Sequence, residues 1–305
     1  MSISKDQIYP FVSVIIPVYN NSQALKKCLA SLENQTYPKD CYEIIVVDNQ
    51  SEENVEIITN HFPQVILSYE EKPGSYAARN RGISLAQGKI IAFTDSDCIA
   101  YETWIEKGVN ELLKVTKVGL VGGKIELFFK DDDSPTAIEF YDEINNYLNQ
   151  KQHIEKKRFG ATANVFTLKS IFDDVGVFRD DLKSGGDVEW GQRVSSKGYK
   201  LIYSEEASVK HPARSSIKEL YKRTIRVVGG LYDLGTYDQD KGSHLLLKEI
   251  LKRIKPPVKY LRWRLSDQRL KKQEKFLFIL VTIFVDYAVA LELFRLKIGK
   301  KSERK

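Results

Sequence analysis

The sequence is poor in cysteine, proline and glycine, with 3, 9 and 18 of them among 305 residues. The three cysteines show no paired spacing and their count is odd, which argues against a disulfide framework, and a reducing compartment is expected. Met1–Pro10 has no apolar stretch, so we expect no secretory signal and a cytoplasmic location. With 42% hydrophobic and 29% charged residues, the composition excludes disordered and low-complexity chains.

The net charge of +6 is unevenly distributed along the chain. Residues 241–305 carry 18 basic and 6 acidic side chains, whereas the preceding residues carry 29 basic and 35 acidic ones. The basic character therefore belongs to the C-terminal region, and the rest of the chain is acidic. Basic clusters are typical of nucleic-acid binding, but no recognition motif accompanies these, so we expect no nucleic-acid partner.

Four apolar stretches alternate with helical patterns in the first hundred residues. The predicted strands are Val12–Val18, Glu43–Val47, Val65–Ser68 and Lys89–Thr94. Helices are predicted between them, including Glu52–Phe62 and Ser75–Ala86. This alternation predicts an α/β fold with a mostly parallel, Rossmann-like sheet. No Gly-x-Gly-x-x-Gly follows the first strand, which disfavours an NAD(P) oxidoreductase.

Polar side chains follow these strands, at the sheet edge where such folds bind ligands. Tyr19 follows the first strand, Asp48 the second, and Asp95 and Asp97 the fourth. Two carboxylates spaced in this way suit a Mg²⁺ or Mn²⁺ ion that bridges protein and phosphate oxygens. A solvated loop or a helix cap is the alternative interpretation of Asp-Ser-Asp.

Six short motifs occur in one order along the chain. They are Val14–Asn20, Ile45–Ser51, Gly74–Gly82, Ile91–Asp97, Gly185–Arg193 and Val209–His211. In sequence and spacing they resemble the family 2 glycosyltransferases, inverting nucleotide-sugar transferases of the GT-A fold. The resemblance implies a GT-A catalytic domain over residues 1–215, with a nucleotide-sugar-binding half at 11–100 and an acceptor-binding half at 101–215. Residues 216–305 are then a basic helical C-terminal extension.

The resemblance also implies roles in binding the donor. Asp48 accepts hydrogen bonds from the nucleobase, and Tyr19 with Pro17 forms part of the base-binding wall. Arg79, near a helix start, faces the diphosphate. Asp95 lies against the ribose and the metal. The alternatives are a helix cap for Asp48 and an exposed helix arginine for Arg79.

The implied cofactor is a divalent metal, Mn²⁺ or Mg²⁺. Asp97 is its direct ligand, and His211 matches a position that often completes the metal or diphosphate contacts in this fold. A structural histidine is the alternative.

Asp187 aligns with the family's general base, which removes the proton from the acceptor hydroxyl. Gly186 replaces the glutamate that usually precedes this aspartate, which puts the orientation of the acceptor in question. The alternative for Asp187 is a cap for the helix that follows.

Two residues are predicted at the acceptor site. Trp190 stacks on an acceptor sugar, with a core tryptophan as the alternative. Asn164 closes the extended segment Gly160–Asn164 beneath the acceptor, and a tight core strand is the competing interpretation.

The C-terminal region contains the basic stretch 245–275 and the apolar stretch Phe276–Phe294. The apolar stretch is long enough to span a bilayer, but Asp286 and Glu292 make it a poor span. Lys275, Thr282 and Asp286 fall near one helical face, so a helix lying on the membrane, with basic clusters at anionic head groups, fits better. We therefore predict peripheral membrane contact through residues 245–305, at the inner face of the cell membrane. A soluble extension or dimer contact is the alternative.

The sequence thus predicts a metal-dependent inverting glycosyltransferase that moves a sugar from a UDP-, GDP- or dTDP-sugar to a sugar or lipid-linked acceptor. Polysaccharide, glycan or glycolipid synthesis is the expected setting. A nucleotidyltransferase on a similar sheet is one alternative, although the loop after the first strand lacks the glycines and basic residues expected there. The other is a nucleotide-sugar-binding scaffold without catalysis.

Overall fold

The computed structural model describes residues 9–145, 147–236, 243–255, 261 and 271–303. The chain divides into two compact units. The first comprises the described residues up to Glu126 together with Leu148–Asp180 and Gly186–His211. The second comprises Leu127–Tyr147, Asp181–Gly185 and the described residues from Pro212 onward.

Strands and helices alternate along most of the chain. The strands are β1 (Val12–Val18), β2 (Tyr42–Asp48), β3 (Val65–Tyr69), β4 (Ile90–Thr94), β5 (Ile99–Ala100), β6 (Val118–Phe128), β7 (Asn164–Leu168) and β8 (Lys200–Pro212). The helices are α1 (Ser22–Glu33), α2 (Glu56–Thr59), α3 (Ser75–Leu85), α4 (Trp104–Lys114), α5 (Ala137–Asn145), α6 (Gln150–Gln152), α7 (Lys169–Val175), α8 (Gly186–Ser196), α9 (Ile217–Asp233), α10 (Ser243–Ile254) and α11 (Lys272–Lys297).

The described strands form one sheet in the order β3-β2-β1-β4-β7-β6-β8-β5. As predicted, β3, β2, β1 and β4 are parallel. The sheet then becomes mixed, because β7 pairs antiparallel with both β4 and β6, and β5 pairs antiparallel with β8. The predicted α/β class is confirmed, and the antiparallel half is the part that the strand–helix alternation did not indicate.

Helices cover both faces of the parallel strands, which explains why these strands are apolar throughout. Val14 and Ile16 of β1 pack in one core cluster with side chains of α1 and α4. Ile15, between them, packs in a second cluster with side chains of α3, α7 and α8. Alternate side chains of a strand point to opposite faces, so one β-branched run supplies both layers. The polar residues lie at the carboxyl ends of the parallel strands.

The helix predicted over Glu52–Phe62 is wrong in extent, since α2 covers Glu56–Thr59 alone. Residues before it are held by the loop after β1. The Glu52 amide donates to Asn20 Oδ1 at 2.7 Å, and the Ser22 amide donates to Glu53 Oε2 at 2.8 Å. These bonds fix Glu52 and Glu53 in a non-helical loop beside the end of β1.

The second unit is built mainly from helices, as predicted for the C-terminal region. Apolar side chains of α5, α9, α10 and α11 form its core, with Phe278 of α11 fully buried. Parts of the predicted basic region 245–305, at 256–260, 262–270 and 304–305, lie outside the described residues.

Candidate active site

The predicted donor-binding residues of β1 and β2 lie at neighbouring strand ends. Val18 is in register with Asp48, and Asp48 with Tyr69. Pro17 is half-buried opposite Val47, Asp48 is buried, and Tyr19 is 60% exposed. An exposed ring beside a carboxylate suits a nucleobase. Tyr69, which sequence reasoning missed, offers a second exposed ring at this edge, and its only sequence signal is an aromatic residue ending a strand.

The loop after β1 is held against the loop after β2. Asn20 adopts a left-handed conformation, with φ 47°, and its amide donates to Ser51 Oγ at 2.9 Å. The Ser51 amide in turn donates to Asp48 Oδ1 at 3.0 Å. A carboxylate accepts more than one hydrogen bond, so this local turn leaves Asp48 able to accept from a ligand.

Asn49 connects β2 with the start of α3, a role that sequence reasoning missed. Its Nδ2 donates to the carbonyl oxygens of Glu70 and Lys72, each at 2.8 Å, and its Oδ1 accepts from the Gly74 amide. Gly74 precedes α3 with φ 127°, a conformation that favours glycine. The signal was present in Asp48-Asn49, a polar pair at a strand end. These bonds position the helix that carries Arg79.

Arg79 is 3% exposed and pairs with Asp95, its Nη2 donating to Asp95 Oδ1 at 2.5 Å. Its Nε is buried without a hydrogen-bond partner among the described residues. A buried donor of this kind is rare in folded proteins, and guanidinium groups bind phosphate through paired N–H donors. The burial of Arg79 and its ion pair with Asp95 contradict the exposed-helix alternative.

Asp187 lies in the first turn of α8 with a half-buried side chain. Tyr76 Oη donates to its Oδ1 at 3.2 Å, and the Val188 amide donates to the same oxygen at 3.0 Å. Burial raises the pKa of Asp187, while the Arg79 charge and the two hydrogen bonds lower it. The guanidinium carbon of Arg79 lies 5.8 Å from the centre of the Tyr76 ring. Contacts thus run from Asp187 through Tyr76 and Arg79 to Asp95.

Asp97 and His211 come together because β5 pairs with β8. Ile99 is in register with Lys210, which places the residues before β5 beside His211. His211 Nε2 lies 3.6 Å from Asp97 Oδ1, and Cys98 Sγ completes a group whose ligand atoms all lie within 4.8 Å of one another. Burial, with the charges of Asp97 and Asp95, raises the pKa of Cys98. A carboxylate oxygen suits a hard divalent cation such as Mn²⁺ or Mg²⁺, and a neutral imidazole nitrogen can add a further ligand.

The two predicted acceptor residues are not brought to the surface of the site. Trp190 is 1% exposed, stacks on Phe172 at 4.9 Å and donates through Nε1 to the Gly176 carbonyl at 3.0 Å. Asn164 is fully buried; it accepts from Trp104 Nε1 at 2.9 Å and donates to the carbonyl oxygens of Lys124 and Ala207. Both geometries correspond to the core alternatives, because neither side chain offers a free face or polar group to a sugar.

Known proteins of similar sequence are glycosyltransferases. The model of glycosyl transferase family 2 matches residues 13–176. Glycosyltransferase AglE of Haloferax volcanii is 41% identical over 235 residues, which are 75% of this chain and 76% of the relative. The dolichyl N-acetyl-alpha-D-glucosaminyl phosphate 3-beta-D-2,3-diacetamido-2,3-dideoxy-beta-D-glucuronosyltransferase of Methanococcus voltae is 24% identical over 70% of this chain and 71% of its own.

A solved structure shares the fold. The mannosyltransferase PcManGT from Pyrobaculum calidifontis, in complex with GDP-Man and Mn²⁺, matches 97% of this chain and 77% of its own with a TM-score of 0.59. The identity of 16% makes this a likeness of fold, and it confirms the predicted GT-A class. The segment matched by the family model runs from β1 to α7 and contains the ends of β1, β2 and β4, whereas Asp187 and His211 lie beyond it. Since a relative at 41% identity also covers three quarters of the chain, the protein belongs to the family 2 glycosyltransferases.

Proposed function

We propose that this glycosyltransferase inverts the anomeric centre, requires a divalent metal, and uses Asp187 as the base. The observation that carries the proposal is the line of contacts from Asp187 through Tyr76 and Arg79 to Asp95. It joins a carboxylate able to act on an acceptor hydroxyl to a buried cation able to hold a diphosphate. Inversion needs these two functions on opposite sides of the anomeric carbon.

The residues predicted to bind the donor and the metal keep their roles in this proposal. Tyr19 and Pro17 hold the base, Asp48 accepts its hydrogen bonds, Arg79 binds the diphosphate, and Asp95 lies against the ribose. Asp97 and His211 would hold the metal, which when bound would supply positive charge against the departing diphosphate. Asp187 accepts the proton of the acceptor hydroxyl through Oδ2 as that oxygen bonds to the anomeric carbon. The bond from this carbon to the diphosphate breaks, and the nucleoside diphosphate leaves.

The classes of donor and acceptor follow the relatives. The Pyrobaculum protein binds GDP-Man and Mn²⁺. This supports a GDP-sugar as the first donor to test, ahead of UDP- and dTDP-sugars. The Methanococcus relative is named for transfer to a dolichyl-linked sugar phosphate, which supports a lipid-linked acceptor in glycan or glycolipid synthesis. We propose the catalytic domain at residues 1–215 and the basic extension at 216–305.

A donor-binding screen tests the proposal. UDP-, GDP- and dTDP-sugars are added with Mn²⁺ or Mg²⁺, and the unfolding temperature is followed, because a ligand that binds the native state stabilises it. We expect one nucleotide class to raise the unfolding temperature and to support transfer to a lipid-linked sugar. Binding without transfer to any acceptor would indicate a non-catalytic scaffold, and no binding of any nucleotide-sugar would contradict the proposal.

Substituting Arg79 tests its place in the donor site. Arg79→Lys keeps the charge and loses the planar fork, so donor affinity should fall about ten- to hundredfold, as for loss of a charge-assisted hydrogen bond. Isothermal titration calorimetry measures this change. Arg81→Gln is the matched control, since Arg81 is exposed on the same helix and its Nε donates to Ser68 Oγ. Equal donor affinity in Arg79→Lys and Arg81→Gln would remove Arg79 from the site.

We also propose that the second unit lies on the inner face of the cell membrane through α11 and α10. Glu274–Lys297 is long and apolar enough to cross a bilayer, yet 56% of the 18-residue apolar stretch within it is buried inside the protein. The polar residues face inward: Thr282 and Glu292 are buried, and Asp286 pairs with Arg253 at 2.7 Å. A helix packed on protein along one side fits a helix in the membrane plane better than a span.

The outward side of α11 is apolar along its length. The large apolar residues exposed there are Phe276, Leu277, Leu280, Tyr287, Leu291, Phe294 and Ile298. On α10, Leu247, Leu251 and Ile254 are exposed beside the exposed Lys248, Lys252 and Lys255. Apolar side chains bordered by lysines are complementary to an anionic lipid surface.

Vesicle flotation tests the membrane proposal. Full-length protein should float with vesicles containing phosphatidylglycerol, and less with neutral vesicles or at high salt. Leu291→Ser/Phe294→Ser should lower the bound fraction about tenfold or more, because each burial of a large apolar side chain is worth about 1.5–3 kcal/mol. Ile57→Ser/Val177→Ser is the matched control, at two exposed apolar positions of the first unit. Equal flotation of the two double variants would contradict the proposal, and a dimer broken only by the α11 variant would assign this face to a second copy.

A further inference from the structure

Gly186 stands where the resemblance described above leads us to expect a glutamate, and the structure shows what occupies the space of that side chain. A Cβ atom on Gly186 would lie 2.8 Å from Cδ2 and Cε2 of Tyr76 and 2.9 Å from Cζ. Carbon atoms that are not bonded pack at about 3.5–4.0 Å, so a side chain at this position requires Tyr76 to move. The φ angle of Gly186 is not positive, so the backbone conformation does not require glycine at this position. The Tyr76 ring requires it.

The Tyr76 ring is held on several sides. It is buried, stacks on Phe178 with 5.8 Å between ring centres, and has Arg79 at 5.8 Å from its own centre. Its hydroxyl reaches Asp187, which is 111 residues away in sequence. Burial raises the pKa of Tyr76, so the phenol keeps its proton and donates to the carboxylate.

We propose that Tyr76 is a positioning residue for Asp187, that Gly186 is the space its ring needs, and that together they replace the acidic side chain expected at position 186. This rests on the proposed role of Asp187 as the base. A hydrogen bond to Oδ1 restricts rotation of the carboxylate and stabilises its ionised form, which is the form that accepts a proton. The aspartate is oriented by a neutral donor, so no second carboxylate repels it.

Tyr76→Phe tests the hydrogen bond while it keeps the packed ring. We expect kcat to fall about ten- to hundredfold with the KM of the donor unchanged. The acidic limb of the kcat–pH profile should move to higher pH, because the ionised Asp187 loses a donor while Arg79 and the Val188 amide remain. Tyr199→Phe is the matched control, since Tyr199 Oη donates to Asp174 Oδ2 at 3.0 Å on the surface. Its kcat and pH profile should equal those of the wild type.

A double-mutant cycle tests whether Gly186 provides the space that the Tyr76 ring occupies. Gly186→Ala alone should lower kcat by about tenfold or more, because the added methyl displaces the ring. In a Tyr76→Ala background, Gly186→Ala should have little further effect, so the two substitutions should be strongly non-additive. Thermal unfolding of every variant establishes that it is folded before its kcat is compared.

Two results would overturn the inference: an unchanged kcat and pH profile in Tyr76→Phe, or an additive cycle between positions 76 and 186. Asp187→Asn separates this failure from failure of the proposed function. If Asp187→Asn is inactive while Tyr76→Phe equals the wild type, the base stands and the positioning role fails. If Asp187→Asn is fully active, the base assignment itself fails.

Discussion

Asp187→Asn is expected to lower kcat for sugar transfer about a hundred- to ten-thousandfold while donor affinity stays within about twofold. An asparagine has the shape of aspartate, and its Oδ1 still accepts from Tyr76 and the Val188 amide. It cannot take a proton, and a positioned general base contributes a factor of about 10²–10⁴. Transfer at saturating donor gives kcat, and calorimetry gives donor affinity. Asp173→Asn, at an exposed aspartate of α7, is the control and should leave both unchanged. Full transfer by Asp187→Asn would show that another group is the base.

The same substitution should not destabilise the protein at neutral pH. Burial raises the pKa of Asp187, so the native state holds its proton more tightly than the unfolded state does. This difference lowers the free energy of unfolding as pH rises above the pKa of the unfolded aspartate. Asparagine removes the effect, so the variant should unfold at an equal or higher temperature at pH 7. The advantage should disappear below the pKa of the unfolded group, where both states of the wild type are protonated.

The strand ends could be predicted because both signals are local. A β-branched run that ends in a polar residue marks a buried parallel strand and its ligand edge, as at Val12–Val18 and at Asp48. The contact of Tyr76 with Asp187 could not be predicted in this way. It joins residues 111 positions apart and depends on α3 and α8 packing on the same face of the sheet. Sequence reasoning noted the unusual Gly186 but had no means of seeing the ring that fills its place.

Burial was the other property that the sequence did not determine. Trp190 lies between Glu189 and Gly191, a polar context that is compatible with a surface tryptophan, yet its ring packs on Phe172. Asn164 is a polar residue with its hydrogen bonds made to Trp104, Lys124 and Ala207, all distant in sequence. In α11 the pattern indicated a polar face, and the structure turns that face inward, where Arg253 reaches Asp286. Only tertiary packing decides which side of such a helix meets the solvent.

Removal of divalent metal is expected to lower transfer at least about a hundredfold, with recovery on addition of Mn²⁺. The departing diphosphate carries more negative charge than Arg79 alone offsets, and Asp97 and His211 present an oxygen and a nitrogen ligand 3.6 Å apart. Dialysis against EDTA, followed by titration with Mn²⁺ or Mg²⁺, measures the requirement.

Substitutions should then locate the metal. Asp97→Asn removes a charged ligand, so we expect the Mn²⁺ concentration at half-maximal activity to rise tenfold or more, and Mn²⁺ binding followed by electron paramagnetic resonance to weaken in parallel. Cys98→Ala is the discriminating control, because sulfur is a soft ligand and the hard ions Mn²⁺ and Mg²⁺ prefer oxygen ligands. It should retain the Mn²⁺ requirement of the wild type. If Cys98→Ala loses Mn²⁺ binding while Asp97→Asn retains it, the ligand is the cysteine and not the aspartate. If the wild type still transfers sugar after treatment with EDTA, the reaction does not require the metal.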